Sequence, residues 1–190
     1  MAEGGNHLIH ASRRNQDITV ILHDNAIYGL TTGQTSPRSS HGYKSKSTPL
    51  GNIDQPLNPL ALAIAAGATF VARVYSGDLP RLTEMLVKAN KHKGFAVVQV
   101  LQPCVTFNKE YSHIFFQENI YQLDEKHNIK DKRAAFAKTL EWGIKQIPVG
   151  VFYEASEPTC EEQTLQIKDK TLVEMPIKKR DIDELLKFYQ

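Results

Sequence analysis

Asp17-Ile-Thr-Val-Ile-Leu-His-Asp-Asn25 holds five consecutive β-branched or aliphatic residues between polar ends. A half-buried strand would alternate apolar with polar residues. The unbroken run therefore predicts burial on both faces, as in a parallel sheet. Similar runs occupy 69–75 and 95–101. Between them lie two helix patterns. One covers 60–66, with Pro59 at the first helical position and Gly67 as its stop; the other is introduced by Asp78, carries Leu82, Met85, Leu86 and Ala89 at helical spacing, and ends at Lys91, Lys93 and Gly94. Upstream, residues 6–14 read as a helix preceded by Gly4-Gly5. Downstream come a polar, aromatic-bearing segment at 108–128, a helix over 133–142 stopped by Gly143, and a strand at 149–153. A charged, irregular tail follows over 154–179, then a short amphipathic helix over 181–189. Strands alternating with helices predict an α/β fold with a mostly parallel sheet flanked by helices. We expect a single domain over 1–190, with a carboxyl-terminal extension from about 154. Ligands of such sheets gather at the carboxyl ends of the strands, where Asn25 and Cys104 both fall.

Composition excludes several classes. With 23 Lys+Arg against 21 Asp+Glu, the chain lacks the charge imbalance of a disordered or polyanion-wrapping protein. Two cysteines exclude a disulfide framework. The longest weakly polar stretch, 60–72, falls short of the roughly 20 residues that span a bilayer. The amino end has no apolar segment behind basic residues, so no secretory signal is read and a reducing cytoplasm is the expected location.

From Tyr28 to about Leu60 the chain is rich in Gly, Ser, Thr and Pro, a length that marks a functional or disordered loop. Its start, Gly29-Leu-Thr-Thr-Gly-Gln-Thr-Ser36, is not a phosphate loop: three residues, not four, separate the glycines and Gln34 follows. No dinucleotide fingerprint surrounds Gly4-Gly5 either. His7 and His10 share a helical face and His23 could join them, but without a Cys or carboxylate at ligand spacing they read as polar contacts rather than zinc ligands. Arg38, His41, Lys44 and Lys46 suit phosphate contacts, yet in a near-neutral chain they read better as a solvated loop. Cys160 sits among acidic residues that disfavour a thiolate. Cys104 follows Pro103 at a strand end and serves either as a soft ligand or as a packed thiol. Asp24-Asn-Ala-Ile-Tyr-Gly29 offers amide and carbonyl oxygens to a hard cation such as Mg²⁺, or else forms a turn stabilised by Asn25.

Three longer motifs go further. Gly4-Gly-Asn-His-Leu-Ile-His-Ala-Ser-Arg-Arg-Asn15, Asp24-Asn-Ala-Ile-Tyr-Gly-Leu-Thr-Thr-Gly-Gln-Thr-Ser-Pro37 and Gln102-Pro-Cys104 closely resemble the β subunit of 2-oxoacid:ferredoxin oxidoreductases, over nearly the whole chain and in the family's order. The resemblance implies the thiamine diphosphate-binding fold. It also implies that Asn25, through its side-chain oxygen, and Ile27, through its carbonyl, hold the Mg²⁺ that clamps the cofactor's diphosphate. Gly29, Leu30 and Thr31 line the diphosphate and substrate side, and Cys104 is a ligand of a four-iron, four-sulfur (4Fe-4S) cluster. Thr32 stands where members often carry Gly or Lys, and Arg38 where a small hydroxyl residue is usual.

The implied reaction is oxidative decarboxylation of a 2-oxoacid to acyl-CoA, with coenzyme A as acyl acceptor and ferredoxin as electron acceptor, in partnership with an α subunit. No general base is assigned. The family's β subunits have Cys-x-x-Cys, a third cluster cysteine and Gly-Asp-Gly-Asp ahead of the Gly-Gly-Asn-His element, and this chain has none of these. The expectation is a carboxyl-terminal part of the subunit, inactive alone, that binds thiamine diphosphate weakly and keeps no stable cluster on one thiolate. The rival readings are an inactive interaction subunit and a phosphate- or nucleic-acid-binding module using the basic Ser-rich loop.

Overall fold

The computed structural model describes residues 3–165, 167–174 and 186–187. In chain order its elements are α1 (Gly5–Arg13), β1 (Thr19–Asp24), β2 (Ile27–Tyr28), β3 (Gln34–Thr35), α2 (Pro59–Ala66), β4 (Phe70–Tyr75), α3 (Leu79–Lys91), β5 (Ala96–Leu101), α4 (His113–Asn119), β6 (Ile120–Gln122), α5 (Lys132–Thr139), β7 (Ile147–Glu154) and α6 (Cys160–Gln163), followed by a 3-10 turn at Leu172–Glu174. Five strands form one sheet in the order β1-β5-β4-β7-β6, and β2 and β3 form a small hairpin. Every pairing in the large sheet is parallel except β4 with β7. The mostly parallel α/β architecture read from the sequence is therefore present.

Local chemistry accounts for the helices. Asn58 accepts a hydrogen bond from the Ala61 N–H at 3.0 Å, Pro59 opens α2, and Gly67 closes it at φ 101°, a conformation only glycine adopts freely. Asp78 caps α3 through the Arg81 N–H, and Asp131 caps α5 through those of Arg133 and Ala134. Leu8, Leu60, Ile64, Val71, Val97 and Phe152 build the core between the sheet and α1, α2 and α5. Val74, Met85, Ala89 and Val98 build the core beneath α3. Full burial of one such aliphatic side chain contributes about 1.5–3 kcal/mol.

Three expectations are corrected, and one segment left without an element gains two. β4 and β5 are buried throughout, but β1 is the edge strand: its Ile21 is 45% exposed, and Ile18 just ahead of it 46%. β-Branched residues favour extended backbone at an edge as they do in the centre, so an apolar run does not by itself report burial on both faces. The segment 108–128 contains α4, capped by Ser112 onto the Phe115 N–H, and β6. The helix expected to reach Trp142 stops at Thr139, because Trp142 turns inward and its indole N–H bonds the Tyr111 hydroxyl at 3.3 Å. The tail forms α6 behind a capping box of Thr159 and Glu162. Apart from residues 186 and 187, the helix expected over 181–189 lies outside the described residues.

The register places Asp24 beside Leu101 and Leu101 beside Tyr75. The carboxyl ends of β1, β5 and β4 are thus level, and both loops singled out in the sequence leave from this edge.

A candidate cofactor site between two lips

The first lip begins where β1 ends. Ala26 adopts φ 54°, and the Asn25 side-chain oxygen accepts the Ile27 N–H at 3.1 Å. This Asx turn matches the stabilised-turn reading, and it leaves the amide oxygen one lone pair for another partner. Ile27 and Tyr28 pair with Thr35 and Gln34, and the hairpin closes through the Gly33 N–H onto the Tyr28 carbonyl at 3.0 Å. Thr32 holds φ 65°, a left-handed conformation that glycine adopts more freely than threonine. His23, Asn25, Ile27, Gly29, Thr31 and Arg38 line an open cavity of about 400 Å³. Leu30, 98% exposed, also borders it.

The second lip follows β5. The Cys104 sulfur accepts the Phe107 N–H at 3.4 Å. Burial raises this thiol's pKa, but the N–H groups of Phe107, Asn108 and Thr106 and the Lys109 charge act the other way and hold it below the ordinary cysteine value. In a Cys160→Ala background, where Cys104 is the remaining thiol, its alkylation rate should therefore begin to rise at lower pH in the folded chain than when the chain is unfolded in urea and the thiol is free. A titration midpoint at or above the free value would contradict this.

The lips meet. Asn108 is buried and donates from its side-chain nitrogen to the Asn25 carbonyl at 3.0 Å, while its side-chain oxygen accepts the Glu110 and Tyr111 N–H groups. The Tyr43 hydroxyl bonds the Phe107 carbonyl at 3.0 Å, and Gly33 lies so close to the Phe107 ring that a β-carbon there would sit 3.1 Å from it. His23 bonds Gln102 at 2.6 Å across the strand ends.

Beneath the first lip runs a polar network that the sequence reading missed. The buried Asp24 carboxylate receives Arg38 Nε at 2.8 Å, Gln99 Nε2 at 2.6 Å and the Ala26 N–H at 3.2 Å. Gln99 in turn accepts Arg73 Nε at 2.8 Å, and Arg73 also donates to the Pro148 carbonyl. Burial, then the nearby Arg38 charge, presses the Arg73 guanidinium down to about 9, against the pull of Asp24. The signal was present: Arg73 and Gln99 are polar residues inside otherwise apolar strands, and such residues must meet each other or another partner.

Other candidates separate. His7 and His10 line a different hollow from His23. Among the described residues no three His, Cys, Asp or Glu side chains are grouped to hold a metal. Arg38 is withdrawn from the basic loop into its pair with Asp24, leaving His41, Lys44 and Lys46 at the surface. Cys160 opens α6, whose first turn carries Glu161 and Glu162. An oxygen set at Asn25 and Ile27 suits a hard cation, and a sulfur cradled by N–H groups suits thiolate ligation, so both groups implied by the resemblance fit these residues.

Residues 1–100 match the family of the thiamine pyrophosphate enzyme, C-terminal TPP binding domain, and residues 104–169 match the C-terminal family of the pyruvate ferredoxin oxidoreductase beta subunit. The chain therefore belongs to the thiamine pyrophosphate enzymes, and among them to the β subunits of 2-oxoacid:ferredoxin oxidoreductases. It is 41% identical to 2-oxoacid:ferredoxin oxidoreductase subunit beta of Saccharolobus solfataricus, covering 91% of this chain and 60% of that one. A Sulfolobus protein of the same name is 46% identical over 84% of this chain and 56% of its own length. The solved 2-oxoglutarate:ferredoxin oxidoreductase from Magnetococcus marinus, with 2-oxoglutarate, coenzyme A and succinyl-CoA bound, superposes at a TM-score of 0.85 and 32% identity, over 98% of this chain and 63% of that one. The chain thus spans about 60% of the length of these relatives.

Proposed function

We propose that this chain is the portion of a 2-oxoacid:ferredoxin oxidoreductase β subunit that grips the diphosphate end of thiamine diphosphate and presents one cysteine to an iron–sulfur cluster. The reaction is oxidative decarboxylation of a 2-oxoacid, with the acyl group passing to coenzyme A and the electrons to ferredoxin. The enzyme is completed by an α subunit. The observation that carries this reading is the meeting of the Asn25 turn and the Cys104 turn at one sheet edge, joined by Asn108.

Each residue has a stated task. Asn25 Oδ1 and the Ile27 carbonyl would supply oxygen to Mg²⁺, a hard cation that takes oxygen ligands and would hold the cofactor's diphosphate at this turn. Gly29, Leu30 and Thr31 border the diphosphate and substrate side. Cys104, held toward the thiolate by three N–H groups, binds iron in the 4Fe-4S cluster. Thiamine diphosphate supplies, when bound, the nucleophilic carbon and electron sink that the protein lacks. One cofactor-binding domain with an extension from about residue 154 fits this role, and a cytoplasmic location fits the redox chemistry. No helix among the described residues is long and apolar enough to cross a membrane.

Calorimetric titration of thiamine diphosphate into the chain, with and without Mg²⁺, tests the reading. Weak, Mg²⁺-dependent binding is expected. Binding indifferent to Mg²⁺, or none at saturating cofactor, would remove the site from this loop.

A further inference from the structure

Trp142, the sole tryptophan of the chain, lies where both lips are anchored. The Arg38 guanidinium carbon is 4.9 Å from its ring centroid and that of Arg73 is 5.4 Å away. Its indole N–H bonds the Tyr111 hydroxyl at 3.3 Å, and that hydroxyl also bonds Ser40 Oγ at 2.7 Å. Arg38 belongs to the first lip, where it holds Asp24 at 2.8 Å and the Leu57 carbonyl at 2.7 Å. Tyr111 belongs to the second, where its N–H is held by Asn108. Arg38 and Tyr111 thus grip one indole from distant parts of the sequence.

We propose that Arg38, Trp142 and Tyr111 form a clamp that fixes the spacing of the Asn25 lip relative to the Cys104 lip, with Arg38 as its positioning residue. The inference rests on the functional reading only in naming what each lip holds. Its physical basis is independent of that. A guanidinium over an indole is attracted by the ring's quadrupole, more strongly when partly desolvated, and the Asp24 carboxylate offsets the repulsion between the Arg38 and Arg73 charges that share the ring. Because the indole also hydrogen-bonds Tyr111, release of Arg38 frees one wall of the ring and loosens the far lip, which Arg38 does not touch. In a redox protein the clamp would hold the cofactor loop at a constant separation from the cysteine.

Amide hydrogen exchange on the 190-residue chain, without cofactor or cluster, tests this, with Trp142 fluorescence as a second readout. In Arg38→Met, exchange should quicken by about tenfold or more in 106–111 as well as in 25–38, since local opening spreads through a shared cooperative unit. Trp142 emission should shift to the red. Arg38→Lys, which keeps the charge beside Asp24 but lacks a planar group to lie on the indole, should restore protection in 25–38 and leave 106–111 loosened. Should Arg38→Met not fold, Tyr111→Phe reads the clamp from the other side and should quicken exchange at Ala26 and Ile27. Changes confined to the mutated lip in Arg38→Met, or in Tyr111→Phe, would overturn the clamp. Cross-lip coupling in a chain that binds no thiamine diphosphate would uphold the clamp and sink the functional reading alone.

Discussion

Asp24→Ala is expected to destabilise the fold by about 3–5 kcal/mol, the cost of removing one partner from a buried ion pair. The Asp24 side chain is 4% exposed and that of Arg38 13%, so solvent screens neither charge well. The substitution strands Arg38 Nε, the Gln99 amide and the Ala26 N–H together, and it removes the negative charge that offsets Arg73 nearby. Asp24→Asn keeps an acceptor oxygen and should lose less, although its NH₂ group then faces donors. Urea unfolding of the two variants against the parent measures the difference. A loss below about 1 kcal/mol for Asp24→Ala would place the pair among weakly coupled surface bridges.

The location of this pair explains what was legible in the sequence. Helix boundaries at Pro59, Gly67 and Asp78 follow from short-range chemistry, and the structure has them where that chemistry puts them. Asn25 and Cys104 were foreseen at one sheet edge because both follow apolar strands directly. The edge position of β1 was not legible, since strand order is a property of long-range pairing that Ile18-Thr-Val-Ile-Leu22 does not encode. Nor was the role of Arg38. Read along the chain it belongs with Lys44 and Lys46 in a basic loop; in space it turns away from them to meet Asp24 and Trp142.

Asn25→Ala carries the second large expected effect. The Asn25 oxygen is held in place by the Ile27 N–H and its backbone carbonyl by Asn108, so the turn is ordered before any cation arrives. Alanine removes one oxygen from a charged partner, and the expected loss in Mg²⁺-dependent thiamine diphosphate affinity is about 1–3 kcal/mol. Calorimetry with both proteins at fixed Mg²⁺ reads it, and Asn25→Asp, which restores an oxygen with added charge, should recover part of the loss. Unfolding of Asn25→Ala in urea separates a binding effect from loss of the Asx turn.

Amide exchange of the chain at saturating thiamine diphosphate and Mg²⁺ bears most directly on the central claim that the cofactor is gripped at the turn after β1. Slowed exchange is expected, centred on 25–31, dependent on Mg²⁺ and lost in Asn25→Ala. Protection centred instead on the hollow beside His7 and His10 or on the basic loop at 41–46, or protection at 25–31 that survives Asn25→Ala unchanged, would contradict it.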